Sequence, residues 1–367
     1  MKAVVVGGGI GGLAAALAFR QRGWQVEVLE RAPEFTEIGA GLSIQPNGLR
    51  ALDALGLGDA LRSGGLADPL AGIRGANGGW LIRNDIEELK RRFGRWATVH
   101  RPALIDLLLA ALPAAALRSG IEVHAVRPDG TVRHSGGMSG ADLVVGADGV
   151  HSAIRRSLWP EAPAPRYVGY TTWRFIAPAR PVAGSVETWG SGERFGYVPM
   201  PDGRIYCYLM ANAPAGERIG LDRLRERFAR WPEPIPALLN DIRADAVLQH
   251  DTCELPDLPT FVRGKVALLG DAAHAMTPNL GQGACQALED AVTLAARVDT
   301  LGVRAGLAEY DEVRRPRTQL IARRSRRIGA PAHWVSRPLT ALRDAAFSRL
   351  PDSFFARSVT PAYSWTI

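Results

Sequence analysis

The stretch Lys2-Ala3-Val4-Val5-Val6-Gly7-Gly8-Gly9-Ile10-Gly11-Gly12 decides the fold. A short, β-branched apolar run passes directly into a cluster of glycines, and the Ala-rich residues 13–19 that follow favour a helix. Strand, glycines and helix in this order are the context in which the pattern Gly7-x-Gly9-x-x-Gly12 binds a dinucleotide. The glycines allow a tight turn and a close backbone approach to the pyrophosphate, whose charge the helix N-terminus favours.

A carboxylate closes the second predicted strand. Residues 26–29 form this predicted strand, which ends in Glu30, and Arg31 follows. An acidic side chain about 20 residues beyond the glycines can accept hydrogen bonds from the ribose hydroxyls. These features leave both NAD and FAD open as the dinucleotide.

A second glycine-containing loop lies far along the chain. The predicted strand at residues 265–269 runs into Gly270-Asp271-Ala272-Ala273-His274, and Pro278 and Gly281-Gln282-Gly283 precede a predicted helix at 284–298. Small residues there let N–H groups at the helix start approach a negatively charged group. Together the two loops indicate FAD. An NAD dehydrogenase, which would use only the first loop, gives Asp271 no function.

Other segments fit a bound phosphate-containing cofactor. Arg101 opens a predicted helix, where a cation is unfavourable unless an anion lies nearby. A buried strand at 141–146 leads to the turn signal Asp148-Gly149. The loop from Ile38 to Ser43 contains two glycines, so its backbone can lie along the cofactor.

Length and composition indicate a two-domain globular enzyme. The chain has 367 residues, of which 47% are hydrophobic and 22% are charged. Three cysteines in no metal-like spacing predict free thiols and a cytoplasmic protein. We expect no membrane span because the sequence has no apolar run of about 18 residues.

The charge excess lies in one segment. The formal net charge is +7, and residues 314–327 hold seven arginines and no acidic residue. We expect a solvated basic helix there, with an acidic partner or an anionic lipid as the alternative. No aromatic-stacking motif accompanies the arginines, so no nucleic acid is expected as a partner.

The middle of the chain has a different pattern. Residues 170–177, 185–189, 194–200 and 204–210 are aromatic-rich runs separated by Pro/Gly turns, which is typical of antiparallel strands. Since residues 265–269 return to a buried strand, this sheet interrupts the dinucleotide-binding domain.

Five landmarks follow one another along the chain: Gly7-x-Gly9-x-x-Gly12, Glu30-Arg31, Arg101, Asp148-Gly149 and Gly270-Asp271 through Gly283. They occur in the order seen in class A flavoprotein monooxygenases. The chain resembles this family over nearly its whole length, including its para-hydroxybenzoate, salicylate, 3-hydroxybenzoate and urate hydroxylases. The resemblance implies an α/β fold with three parts. They are a discontinuous Rossmann-like FAD-binding domain (1–70, 100–165 and 263–300), an inserted antiparallel-sheet substrate domain (71–99 and 166–262) and a C-terminal helical segment (301–367).

The resemblance also implies roles for individual residues. FAD would bind non-covalently at the first loop and at Arg31 and Ser43, with Glu30 at the adenosine ribose and the Val123 backbone near the adenine. Arg101 and Asp271 would contact the pyrophosphate or ribityl chain. Asp148 would serve FAD and the transient NADH or NADPH, and Pro278 would shape the pocket beside the isoalloxazine ring.

The implied reaction is flavin-based. NADH or NADPH reduces FAD, O2 forms a flavin C4a-hydroperoxide, and this species hydroxylates or epoxidises a small aromatic or heteroaromatic molecule. The sequence shows no metal or Ser/His/Asp constellation, and we expect His274 to support its loop. The chain is expected to act as a monomer or homodimer.

The substrate should lie against the inserted sheet. Arg194 and Tyr206 match an Arg and a Tyr in the urate hydroxylases, and Trp173 and Arg174 are further candidates. Flavin-dependent halogenases and reductases on the same scaffold remain alternatives, although the halogenase motif Trp-x-Trp-x-Ile-Pro is absent. A non-catalytic FAD-binding protein is the alternative from another functional class.

Overall fold

The computed structural model describes residues 1–35, 41–351 and 353–366. Residues 38–40 of the predicted cofactor loop at 38–43 therefore lie outside the described residues. The strands are β1 Lys2–Val6, β2 Gln25–Leu29, β3 Gly41–Ile44, β4 Leu66–Ala67, β5 Gly72–Gly75, β6 Trp80–Arg83, β7 Trp96–His100, β8 Leu117–Arg118, β9 Val123–Val126, β10 Thr131–His134, β11 Gly137–Gly140, β12 Leu143–Gly146, β13 Arg166–Ala177, β14 Val186–Trp189, β15 Glu193–Pro199, β16 Ile205–Asn212, β17 Leu248–Glu254, β18 Val262–Arg263 and β19 Val266–Leu268. The helices are α1 Ile10–Gln21, α2 Pro46–Ala54, α3 Gly58–Ser63, α4 Ile86–Phe93, α5 Arg101–Ala110, α6 Ala153–Leu158, α7 Leu221–Phe228, α8 Ile235–Asn240, α9 Asp271–His274, α10 Gly283–Gly329, α11 Arg337–Phe347 and α12 Ser353–Tyr363.

A six-stranded sheet in the order β18-β19-β12-β1-β2-β8 forms the first layer of the fold. Its strands are parallel except for the β18–β19 hairpin, and residues 3–5 of β1 are completely buried. A Cβ on Gly12 would lie 2.0 Å from the carbonyl oxygen of Gly7, so only glycine lets α1 pack this closely on the loop. Because β19 pairs with β12, the chain returns to this sheet after the inserted segment.

A second, seven-stranded sheet has the order β17-β13-β16-β15-β14-β5-β6. Its pairs are antiparallel except β14 with β5. One face packs on α7 and α8 around a hydrophobic core that includes Trp173, Phe195 and Phe228. The hairpin β5–β6 extends this sheet, whereas β7 pairs with β3 and β4. We therefore propose that the domain boundary predicted at residue 99 lies before β7.

The basic segment is only partly the solvated helix that its sequence predicts, because Arg314 is buried. It belongs to α10, which is interrupted at Gly302 (φ 78°, ψ 166°) and continues to Gly329. Arg314 is 1% exposed and forms ion pairs with Glu289 and Asp290 of the same helix before the break. Because these two acids are also buried, they draw arginine side chains of the later part of α10 inward.

The C-terminal tail packs on the body of the protein. The Tyr363 ring meets those of Phe93 and Trp96 edge-on, with centroids 5.2 Å and 5.9 Å away. Arg50 donates to the carbonyl oxygen of Trp365 (2.8 Å), and Arg317 donates to carbonyl oxygens at the end of α12. Among the described residues, every helix is too short or too polar to cross a bilayer.

Candidate cofactor and substrate site

The glycine loop presents backbone N–H groups at the start of α1. Gly9 precedes the helix without a side-chain cap, and the first turn carries no acidic residue. The Glu30 carboxylate accepts hydrogen bonds from the backbone N–H groups of Gly8 (2.6 Å) and Ala32 (2.8 Å). An uncapped helix N-terminus with a carboxylate beside it fits the adenosine diphosphate part of a dinucleotide.

Asp148 lies just beyond β12, at the carboxyl end of the parallel sheet. Its Oδ2 accepts from the N–H groups of Ala153 (2.7 Å) and Ile154 (3.2 Å), while its buried Oδ1 has no partner within the described part of the chain. Ser152 caps α6 by accepting from the N–H of Arg155 (2.9 Å). The orphaned carboxylate oxygen fits a hydroxyl donor on a ligand.

Arg101 and Asp271 lie near each other although 170 residues separate them. Arg101 opens α5, and burial and the neighbouring Arg174 lower its pKa, whereas Asp271 raises it. Val123 begins β9, and the N–H of nearby Ile121 donates to the Glu30 carbonyl oxygen (2.8 Å). The predicted contacts along the cofactor thus lie on elements that border the same edge of the sheet.

The loop at 278–283 is open where a flavin would need it to be. Pro278 begins a short 3-10 turn, and Gly281 adopts a left-handed conformation with φ 62°. A Cβ on Gly281 would lie 2.8 Å from Gln45 Nε2, whereas a Cβ on Gly283 would meet nothing within 4 Å. No side chain caps the start of α10. Backbone N–H groups at that start fit the negatively charged edge of a reduced flavin.

A buried network of polar side chains supports the loop at 278–283. The Gln282 side chain is 1% exposed and accepts from Asn47 (2.9 Å) and Gln286 (2.7 Å), so its amide oxygen is held inside the protein. Asn47 also donates to Glu289 (2.7 Å), and Gln45 donates to the Leu280 carbonyl oxygen (2.8 Å). The network therefore fixes α2 against the loop and α10.

The same network reaches the loop at 270–274 through Asp290. This carboxylate accepts from the N–H of Gly270 (3.0 Å), from His274 Nε2 (2.5 Å) and from Arg314 Nε (2.7 Å). Burial alone would raise the pKa of Asp290, but the charges of His274 and Arg314 bring it down to about 2. His274 is 3% exposed and contacts Asp290, in agreement with the supporting role predicted for it.

The face of the seven-stranded sheet opposite α7 and α8 carries the candidate substrate residues. Strand pairing places Arg174 opposite Tyr208, and Arg194 opposite Met210, on this polar face. Trp173 has the opposite orientation and is completely buried among the residues that pack on α7 and α8. Because side chains alternate along a strand, we remove Trp173 from the candidate substrate site.

Tyr206 lies where the sheet meets β3. A Cβ on Gly41 would lie 2.4 Å from Cγ of Tyr206, so the strand that carries Ser43 passes directly over this ring. Burial raises the pKa of the Tyr206 phenol, and the charges of Arg174 and Arg101 oppose that rise. Arg174 Nε is buried with no partner in the described ranges. Tyr206 and Arg174 therefore lie near Arg101.

Arg194 joins the polar sheet face to the loop at 278–283. It is 2% exposed and contacts Glu187 (Nη1 to Oε1, 3.2 Å), Met210 Sδ (Nε, 3.1 Å) and Asn279 Oδ1. Asn279 directly follows Pro278. The structure thus brings Arg194 to the loop that is expected to border the flavin ring.

Sequence reasoning missed four residues around Arg194. Tyr208 donates to Glu187 Oε2 (2.7 Å), and the Tyr170 ring stacks on that of His333 with centroids 3.8 Å apart. The period of two along β13 and β16 could have placed Tyr170 and Tyr208 on this face with Arg174 and Tyr206. Nothing local in the sequence brings His333 of the tail to this face.

Comparisons with known proteins identify the family of this chain. Residues 1–325 match the family model described as the FAD binding domain. This chain belongs to that family. It is 37% identical to aurachin C monooxygenase/isomerase of Stigmatella aurantiaca, over 90% of this chain and 89% of the relative. It is 35% identical to 3-amino-4-hydroxybenzoate 2-monooxygenase of Streptomyces cremeus, over 94% and 91%.

A solved structure extends the similarity to the fold. The Klebsiella pneumoniae HpxO protein, complexed with FAD and uric acid, superposes with a TM-score of 0.89 at 30% sequence identity. The match covers 99% of this chain and 97% of that one. The chain is thus a FAD-dependent monooxygenase of the class A flavoprotein group, with the mixed α/β fold that its sequence predicts.

Proposed function

We propose that this monooxygenase hydroxylates a small hydroxylated aromatic or heteroaromatic molecule, with NADH or NADPH as electron donor and O2 as oxidant. The observation that carries the proposal is the contact of Arg194 with Asn279, which joins the polar sheet face to the expected flavin loop. The printed names of the relatives, which include an aminohydroxybenzoate monooxygenase, support an aromatic substrate for this chain.

We assign the cofactor site to elements that meet at the carboxyl end of the six-stranded sheet. Bound FAD would supply the electron transfer and the activation of O2. The chain would hold its adenosine part through the glycine loop and Glu30, and orient its ring against the start of α10. The proposed FAD contacts are Gly7, Gly9, Gly11, Gly12, Glu30, Arg31, Ser43, Arg101, Val123, Asp148, Asp271, Gly281, Gln282 and Gly283.

We assign the substrate to the polar face between Arg194 and Tyr206, with Arg174 beside Tyr206 and Pro278 forming the opposite wall. Arg194 and Tyr206 can donate hydrogen bonds to oxygen atoms of a ring and fix which carbon faces the flavin. Burial of Arg194 keeps bulk water away from this end of the face.

We further propose that the protein works in the cytoplasm as a monomer or homodimer. The support for the compartment is that Cys207, Cys253 and Cys285 are all free thiols. Light scattering of the purified protein would give its oligomeric state.

The test of the reaction is NADH and NADPH oxidation by the FAD-loaded protein across phenols, aromatic acids, indoles and purines, with mass detection of products. We expect one class to stimulate oxidation and to gain one oxygen atom. Halogen in the product, or bound FAD that neither nicotinamide reduces with any ligand present, would contradict the proposal.

A further inference from the structure

A carboxylate that sequence reasoning did not select compensates the charge of Arg194. Glu187 is 8% exposed, and its Oε1 accepts from Arg194 Nη1 (3.2 Å) and Trp189 Nε1 (2.5 Å). Its Oε2 accepts from the Tyr208 hydroxyl (2.7 Å). A buried ion pair is stable when its two groups are paired and hydrogen-bonded in this way.

A glycine on the intervening strand makes this arrangement possible. Glu187, Gly196 and Tyr208 lie in one row across β14, β15 and β16. A Cβ on Gly196 would lie 2.1 Å from Cζ of Tyr208, so the bare backbone leaves the space through which Tyr208 reaches Glu187. The Glu187 carboxylate is therefore built into the face and is not a surface ion that can swing away.

The polar groups next to Arg194 that remain without a partner are neutral. Asn212 donates through Nδ2 to the His333 carbonyl oxygen (2.9 Å), so its Oδ1 must accept from His333 Nδ1–H (2.8 Å). His333 Nε2 is then a lone-pair acceptor, and neither it nor the Tyr170 hydroxyl has a partner among the described residues. Burial and the nearby Arg194 lower the pKa of His333 to about 3, so the imidazole is neutral at physiological pH.

The neighbouring cations lie at the other end of the face. Arg174 and Arg101 both act on Tyr206, and Arg101 is close to Asp271, where the cofactor is expected. Around Arg194, in contrast, a ligand meets the Arg194–Glu187 ion pair, the neutral Tyr170 hydroxyl as a donor and the neutral His333 Nε2 as an acceptor. A ring carboxylate placed on Arg194 would also approach the carboxylate of Glu187, and like charges repel strongly where water is excluded.

We propose that Glu187 is a specificity-determining residue. By holding Arg194 in a charge-balanced pair, it selects a neutral ring that carries a carbonyl acceptor and an N–H or O–H donor, and it disfavours a ring that carries a carboxylate. This inference rests on the proposed function, because it assumes that the substrate binds beside Arg194.

The experiment compares isosteric amide and acid ligands on the FAD-loaded enzyme. Dissociation constants come from the change in flavin absorbance when each ligand binds. The first pair is 4-hydroxybenzamide and 4-hydroxybenzoate. The second and third pairs are 5-hydroxyindole-2-carboxylate and 4-hydroxyquinoline-2-carboxylate, each compared with its own carboxamide. For the wild type we expect the amide of a pair to bind at least about tenfold more tightly than the acid. Tighter binding of the acids would overturn the inference without any variant.

Glu187→Gln tests the residue itself. We expect it to lower the amide-to-acid preference at least about tenfold, because Arg194 then lacks its counter-ion. Glu193→Gln is the matched control, since Glu193 begins the same strand as Arg194 but pairs with Arg227 away from the polar face, and it should leave the preference unchanged. Thermal melting and bound FAD report whether Glu187→Gln folds.

The role of Glu187 and the proposed substrate site can be contradicted separately. An unchanged preference in folded Glu187→Gln, with both ligands weakened by Arg194→Ala, would overturn the role of Glu187 and leave the proposed substrate site standing. If no member of the three pairs perturbs the flavin, the substrate site itself is wrong and the inference falls with it.

Discussion

At the residue scale, Glu30 shows how one side chain organises the glycine loop. Its carboxylate holds the backbone of Gly8 and of Ala32. We expect Glu30→Ala to weaken FAD binding by about 10- to 100-fold, because the loop loses this support and the ribose loses an acceptor. Titration of apoprotein with FAD measures the effect, and exposed Glu34→Ala is the control. Equal FAD affinity in the two variants would contradict the ribose assignment.

Arg194 gives the corresponding prediction for the substrate. Arg194→Ala should weaken ligand-stimulated flavin reduction by at least about tenfold while FAD stays bound, because Arg194 lies on the sheet face and not on the glycine loop. Stopped-flow reduction with and without ligand measures this, together with the FAD content. Arg204→Ala, which removes an exposed arginine from the adjacent turn, is the control. A full ligand response in Arg194→Ala would remove this residue from the site.

At the element scale, α10 links the loop at 270–274 to the loop at 278–283 through its buried polar side chains. Arg314→Met would leave Glu289 and Asp290 without their buried cation, and we expect a loss of about 3–5 kcal/mol in the free energy of unfolding. Arg327→Met removes an exposed arginine of the same helix and should cost less than about 0.5 kcal/mol. Urea denaturation of both variants tests this. Equal losses of unfolding free energy in the two variants would mean that residues 314–327 form a solvated basic helix.

The strands and helices that bear glycine signatures could be predicted from sequence, and the partners of their side chains could not. The strand at residues 2–6 is found as β1, since apolar periodicity and the glycines that follow are local. The burial of Arg314 depends on acids 25 and 24 residues earlier in the chain, across the break at Gly302. The orientation of Trp173 depends on strand register, which one run of aromatic residues does not define.

At the scale of the whole molecule, Glu27 connects four strands. It contacts Lys2 (2.8 Å) on β1, Arg118 (2.5 Å) on β8 and Ser139 (3.0 Å) on β11, which belongs to a separate three-stranded sheet. Burial alone would raise the pKa of Glu27, but hydrogen bonds from these residues lower it from 4.5 to about 2. Because the pKa of the Glu27 carboxyl is lower in the folded protein than in the unfolded chain, the ionised carboxylate stabilises the fold above about pH 4.5. This stabilisation is lost as the pH falls towards 2.

The variant Glu27→Gln tests that pH dependence. We expect the free energy of unfolding to fall less steeply between pH 4.5 and 2 in this variant than in the wild type, because the variant lacks the titrating group. Glu122→Gln, at an exposed position, should follow the wild-type curve. Parallel curves for all three proteins would show that Glu27 does not carry the effect.

The C-terminal tail contacts both α2 and α10. Removal of residues 351–367 deletes the Tyr363 ring contacts and the carbonyl oxygens that Arg50 and Arg317 bond. We expect the melting temperature to fall by several degrees and FAD to be held less tightly, because α2 and α10 lose this support. Differential scanning calorimetry of the shortened protein with FAD tests this. An unchanged melting temperature would mean that the tail is dispensable for the fold.

We propose that this protein inserts one atom of O2 into an aromatic ring at the face between Arg194 and the loop at 278–283. The most direct measurement is turnover under ¹⁸O2 with NADH or NADPH, followed by mass spectrometry of the product. We expect a product that carries one ¹⁸O atom for each nicotinamide oxidised, and loss of that product in Arg194→Ala with FAD still bound. Peroxide as the only product with every aromatic class offered, or the same labelled yield from Arg194→Ala, would contradict it.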